Sequence, residues 1–257
     1  MRCRDKYIGL NGINNKGQQM KIIDYVDYEN ISIQFSDGTI VRGSVGNFIK
    51  GAIKNPNSPS LFNIGIVGDK YPIREAEGKI IKEYITWRLI LERCYSKTSQ
   101  QRDKTKAYLN CRVCEEWLYF PNFYDWLHSQ VNFDKWKSGG YSIDKDIILK
   151  HNRLYCPQYC CLVPAYINNA FTKHDSARGE YPIGVIKNQY GTYDARVNYY
   201  GKSIHLYGYS TPEEAFYAYK ERKESIIKEY AEREYKKGNI TAECYNAMIQ
   251  YKVEITD

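Results

Sequence analysis

Residues Tyr181 to Lys220 read YPIGVIKNQYGTYDARVNYYGKSIHLYGYSTPEEAFYAYK, and two signals in that stretch set the fold class. Up to Tyr209, β-branched and aromatic residues alternate with polar ones between glycines, the pattern of short strands. Tyr199-Tyr200-Gly201-Lys202 lies between two such runs and reads as a hairpin turn. Then the period changes. Ser210 or Thr211 supplies an N-cap oxygen, Pro212 brings the preset φ of a first helical residue, and Glu213 and Glu214 place negative charge in the first turn. The helix so started is expected to run to Gly238, with a short last helix from Thr241 to about Tyr251. Strands followed by a long helix, rather than strict alternation of the two, point to the α+β class.

Toward the N-terminus, the same reading yields two further pieces. Positions 79 to 97 are expected to be helical, with Ile81, Tyr84, Ile85, Leu89 and Leu91 as the apolar stripe. A polar run, SKTSQQRDKTK (Ser96 to Lys106), reads as an exposed loop. A second helix, EEWLYFPNFYDWLHSQ, follows Cys114. Its Trp117, Phe120, Phe123 and Trp126 recur every third residue, and that stripe is read as core packing rather than base stacking. Positions 7 to 54 read as short strands. In KIIDYVDYENISIQFSDGTIVRG, apolar and polar residues alternate around Glu29-Asn30 and Asp37-Gly38, both plausible turns. This piece resembles an SH3-like fold, a small β-barrel or curled sheet. The prolines and serines of KNPNSPS (Lys54 to Ser60) make it the best linker candidate. The expected organisation is α+β and multidomain. It runs through a barrel over 1–56, a central domain over 57–176, a sheet-plus-helix domain over 177–236 and a C-terminal helix over 237–257.

Composition narrows the function classes. The 257 residues exceed what one small core needs, and no apolar run approaches the ~20 residues of a membrane span. The opening MRCRDKY lacks the apolar core of a signal peptide. Membrane and secretory readings are therefore set aside, and the expected location is the cytoplasm. Aromatic residues make up 15% of the chain, with 26 tyrosines, which argues against disorder. The net charge of +7 is modest and spread out, so it permits nucleic acid as a partner without demanding it. Eight cysteines without a signal peptide indicate a reducing compartment. Free thiols or zinc ligands are then more natural than disulfides. Cys111-x-x-Cys114 and Cys156-x3-Cys160 have zinc-knuckle spacing. Cys94, Cys114, Cys156 and Cys160 form the candidate structural Zn2+ set, against the alternative of small buried core residues.

The middle of the chain carries Trp87 and Arg93-Cys94-Tyr95, then Cys114, Trp117, Phe120, Phe123 and Trp126, then YSIDKDIILKHNRLYCPQYCCLVPAYINN over Tyr141 to Asn169. These elements, in this order, resemble the HNH-like endonucleases common in bacteriophage genomes, over positions 85 to 172. The resemblance implies a β-hairpin packed on a helix around one divalent ion, Mg2+ or Mn2+, and phosphodiester hydrolysis. It makes Asp144 the first ligand and Asn168 the helical one, with Asn169 as the fallback. Asp146 is a further carboxylate, because on an extended strand it points to the same side as Asp144. The general-base histidine of the pattern is replaced by Lys145, a poor base but a good phosphate clamp. His151 and Tyr155 on the return strand are then the candidate bases.

The opening stretch has a resemblance of its own. Gly184-Val185, Gly191, Tyr193, Ala195, Val197, Gly201-Lys202, Leu206, Thr211, Glu213-Glu214-Ala215 and Ala218-Tyr219 resemble the APETALA/ethylene-response-factor DNA-binding domain, over positions 181 to about 224. That domain is a three-stranded sheet over one helix, with the sheet entering the major groove. By register, the outward positions are Ile186, Asn188, Tyr190, Tyr193, Arg196 and Asn198, with Lys187, Arg196 and Lys202 as base or phosphate contacts. Two functions stay open. One is a phage-type HNH endonuclease acting on double-stranded DNA within a host cell. The other is a DNA-binding accessory, regulator or inhibitor with an inactive core. A protein partner or a second copy is compatible with either.

Overall fold

The computed structural model describes residues 6–100, 108–172 and 180–257. The fold is α+β, and the chain divides into two compact units. One runs to Lys79 and adds Leu118–Pro121; the other comprises Ile80–Trp117 and Asn122–Asp257.

In the first unit, β1 (Asn11–Ile13), β2 (Gln19–Tyr25), β3 (Ile31–Phe35) and β4 (Ile40–Gly43) form an antiparallel meander in the order β1-β2-β3-β4. The sheet is open at both ends rather than closed into a barrel. The expected turns are present. Asp27 accepts the amide of Glu29 at 2.8 Å, and Asp37 accepts that of Thr39 at 2.9 Å with Gly38 at φ +90°. Period-two burial in β2 and β3 puts Met20, Ile22, Ile31, Ile33 and Phe35 on one face. The short helix α1 (Val45–Ile49), capped by Ser44, covers that face with Val45 and Phe48. The Lys54–Ser60 segment is no flexible linker. Asn55 is buried and donates to Asp37 at 2.7 Å, Asn57 donates to Thr39, and Lys16 donates to the Pro59 carbonyl. These bonds bind the proline-rich segment to the sheet, and the first compact unit continues to Lys79.

The second unit opens with α2 (Lys82–Tyr95). Its buried face is Glu83, Trp87, Ile90, Leu91 and Cys94, while Ile85 and Leu89 are exposed. The stripe is rotated from the expected one and includes buried Glu83, which pairs with the Lys137 ammonium at 2.7 Å and meets His128 Nε2 at 3.2 Å. Of the expected polar loop, Lys97–Gln100 makes one helical turn and 101–107 lie outside the described residues. After β5 (Arg112–Val113), the expected single helix is two, α3 (Glu115–Leu118) and α4 (Phe120–Ser129). Pro121 has no amide hydrogen to donate to the Trp117 carbonyl, and the Trp87 indole takes that acceptor at 2.6 Å instead. Trp117 packs on Phe123 and Trp126, so these rings form core as expected. A short α5 (Phe133–Ser138) follows.

Next come β6 (Tyr141–Asp144), β7 (Leu154–Tyr155), β8 (Cys161–Pro164) and α6 (Ala165–Phe171). β6 pairs antiparallel with β8, and β7 pairs parallel with β5. A second antiparallel sheet, in the order β11-β10-β9, is built from β9 (Val185–Lys187), β10 (Tyr193–Tyr199) and β11 (Lys202–Tyr209). Tyr200 and Gly201, at φ +50° and +76°, make the expected hairpin turn. Thr211 is the N-cap of α7 (Pro212–Lys236), in a reciprocal capping box with Glu214. Thr241 caps α8 (Ala242–Gln250). One core joins Cys161, Val163 and Ile167 of the β6–β8–α6 region to Val185, Ala195 and Val197 of the sheet and to Phe216, Ile227 and Met248 of the helices. The two segments expected as separate domains thus share a single interior. Gly184 is obligatory there, since at φ +76° a Cβ would lie 2.1 Å from the Tyr219 ring.

Candidate active-site cleft

β6 ends at Asp144 because its carboxylate turns the chain. Oδ1 accepts the amides of Asp146 at 2.7 Å and Ile147 at 2.8 Å, an Asx-type turn. The backbone past Asp144 is not extended, so the expected same-side pairing of Asp144 and Asp146 on one strand does not form. Asp146 instead takes both its oxygens to the Lys145 ammonium, at 2.7 and 2.8 Å. The Lys145 ammonium also donates to the Asn152 carbonyl at 2.7 Å and lies 5.8 Å from the Tyr155 ring centroid. Its three hydrogens are spent inside the loop, and Lys145 is a buried brace rather than the expected phosphate clamp. Asn152 completes the loop by donating to the carbonyls of Lys145 and Leu154 and accepting the Leu154 amide.

Asp144 is buried, and burial pushes its carboxyl up to about 6, against the opposing pull of the two amide bonds. Antiparallel pairing sets Asp144 opposite Cys161, and α6 begins directly after β8. Half-buried Asn168 on α6 lines the same cleft as Asp144. Asn169 is exposed and does not line it. The cleft measures about 600 Å3. Arg93, Lys145, Lys150 and Arg153 line it against the two carboxylates of Asp144 and Asp146, and His151 adds an imidazole. The N-terminal sheet carries an open groove of about 780 Å3, and of titratable side chains only Lys21 lines it.

The two candidate bases differ sharply. Tyr155 is buried, and burial holds its phenol well above its ordinary range, which keeps the proton on and disfavours a base role. His151 has a side chain 60% exposed and sits at φ +60°, an unusual backbone state for a non-glycine residue. It contacts Asp257 at 3.5 Å.

The candidate zinc cysteines lie in or beside the interior. Cys94, Cys156 and Cys160 are buried and Cys114 half-buried, and all are free thiols. Burial pushes Cys94 up to about 12 and raises Cys114 and Cys160 as well, so these stay protonated. Among the described residues, no three histidine, cysteine or acidic side chains gather into one group.

On the C-terminal sheet, alternation turns Val185, Ala195 and Val197 inward and leaves Ile186, Arg196 and Asn198 exposed, as expected. Lys187, Tyr190 and Lys202 are exposed too. Asn188 is not a free contact residue. Its amide donates to Thr192 at 2.7 Å and Asp194 at 3.0 Å, and its Oδ1 accepts the amides of Tyr190 and Thr192, so it braces the β9–β10 turn. Tyr193 is half-buried, packed edge-to-face on Tyr181 beside the core. Tyr193 shares the strand face of buried Ala195 and Val197, two and four residues on, which puts it on the core side. The sequence reading missed His205, paired opposite Arg196, and Tyr207, stacked on His205 with ring centroids 5.7 Å apart. Continuing the alternation from Arg196 across the hairpin into β11 finds both.

Compared with known proteins, the chain matches no family model, no curated protein and no solved structure. No helix among the described residues is long and apolar enough to cross a membrane.

Proposed function

We propose that this chain is a DNA-binding endonuclease of the HNH type, hydrolysing phosphodiester bonds with one divalent ion. In this reading the β6–β8–α6 unit is the HNH-like core, the C-terminal sheet is the APETALA-like DNA grip, and the N-terminal meander is an open SH3-like module. One observation carries the proposal: Asp144 from a strand end and Asn168 from the following helix border the same cationic cleft. A hard-oxygen pair of this kind suits Mg2+ or Mn2+, which keep several waters and take further oxygens from substrate phosphate. Such an ion would be held by Asp144 and Asn168 and would stabilise charge on the leaving oxygen. Asp144 presents its carboxylate from a rigid turn, because Oδ1 is already fixed by two amides. Arg93, Lys150 and Arg153 supply positive charge for the DNA backbone. His151 is the side chain best suited to take a proton from water.

A second reading, a DNA-binding protein with an inactive core, draws on Lys145. That residue stands where the resemblance expects a histidine base, and it is consumed by Asp146 and Asn152. Supercoiled plasmid incubated with Mg2+ or Mn2+ separates the two. The endonuclease nicks or linearises it, and Asp144→Ala abolishes cutting while DNA binding persists. Wild-type protein that binds plasmid and never cuts it with any divalent ion decides for the inactive core.

A further inference from the structure

The cationic rim of the cleft is not open on every side. Asp257 has a side chain only 2% exposed, although it is charged and polar. Its Oδ2 accepts the Lys150 ammonium at 2.7 Å and the Glu254 amide at 2.9 Å, and its Oδ1 lies 3.5 Å from His151 Nε2. Lys150 reaches further along the same segment, donating to the Lys252 carbonyl at 2.7 Å and lying 5.1 Å from the Tyr251 ring centroid. Tyr251 in turn meets Phe171 edge-to-face, one helical turn beyond Asn168. Residues 251–257 thus follow the rim of the cleft and deliver a carboxylate to two of its basic side chains.

A buried carboxylate is tolerated only where cations hold it. The converse is informative. Lys150 and His151 face the cleft and present an ammonium and a ring nitrogen to one anion, the arrangement that binds phosphate oxygens. We infer that Lys150 and His151 form a phosphate-binding subsite of the cleft, occupied in the free chain by Asp257, so that a nucleic-acid phosphodiester and the 251–257 segment compete for the same two side chains. The inference rests on the nucleic-acid reading of the cleft and adds to it an intramolecular competitor. A segment seated about 70–90% of the time weakens apparent affinity by about 3- to 10-fold.

The test measures binding of a fluorescent 20-base-pair duplex and of inorganic pyrophosphate, without divalent ions. The proteins are wild type, Asp257→Asn, Lys150→Gln and the double variant. Asp257→Asn keeps the shape and removes the charge, and a second form lacking residues 252–257 removes the segment outright. Both are expected to bind both probes about 3- to 10-fold more tightly, and Lys150→Gln is expected to erase that gain. Unchanged or weaker binding in both forms overturns the inference, as does a gain that survives Lys150→Gln. A gain for pyrophosphate with no duplex binding by any form keeps the subsite and rejects the nucleic-acid reading instead. Failure of every form to bind either probe overturns both.

Discussion

Asp144→Asn is expected to make the protein more stable at neutral pH while removing its proposed chemistry. The variant keeps an Oδ1 that accepts the Asp146 and Ile147 amides, so the turn at the end of β6 survives. What it loses is a charge that burial disfavours. Asp144 titrates near 6 in the fold against an ordinary 3.8. A folded-state value above the unfolded one means that the fold prefers the protonated acid. Its stabilising contribution is full below 3.8 and is lost as pH rises through 6. At about 1.4 kcal/mol per pK unit, the ionised carboxylate costs the wild type about 3 kcal/mol at pH 7, and only about 0.6 kcal/mol at pH 4. The asparagine carries no such cost at either pH. Urea unfolding followed by tryptophan fluorescence suits the test, because Trp87, Trp117, Trp126 and Trp136 all lie between Ile80 and Asp257 and none lies in Leu118–Pro121. The variant should gain up to about 3 kcal/mol at pH 7, with the gain nearly gone at pH 4. Millimolar Mg2+ should stabilise the wild type and not the variant. A variant less stable than wild type at pH 7, or a gain of equal size at both pH values, would refute the burial argument.

Three further outcomes follow from the geometry. Arg196→Ala with Lys202→Ala should weaken duplex binding and lower the log–log salt slope by about 2, and an unchanged slope would remove the C-terminal sheet from the interface. In plasmid cleavage, Tyr155→Phe should change the rate by no more than about 3-fold, because its buried phenol keeps its proton, while His151→Ala should cost about 100-fold; the reverse order would make Tyr155 the base. Gly184→Ala should destabilise the protein by about 2–4 kcal/mol in the same urea assay, since the new Cβ meets the Tyr219 ring at positive φ, and near-neutral behaviour would contradict that packing.

The sequence by itself determined the local elements whose signals are local. The helix start at Ser210 or Thr211, the Tyr200-Gly201 turn and the Asp37-Gly38 turn depend on residues within four positions of one another, and all three formed where expected, the cap at Thr211. It also placed Asp144 at a strand end and Asn168 on the next helix. Tertiary structure decided matters in which distant groups compete for one atom or one face. Ile66 takes the Leu118 carbonyl and the Phe120 amide on either side of Tyr119, splitting the expected helix, and the Trp87 indole claims the carbonyl that Pro121 leaves unbonded. Glu83 is buried in the rotated stripe of α2, where Lys137 and His128 meet it. Lys145 reads in sequence as a free cation and becomes internal, because Asp146 and the Asn152 carbonyl saturate it. The seat of Asp257 on Lys150 and His151, more than a hundred positions away, leaves no periodic trace in the chain. Periodicity records which face of an element is buried; it carries no record of which remote partner satisfies a buried charge, and in this protein those partners shape the cleft.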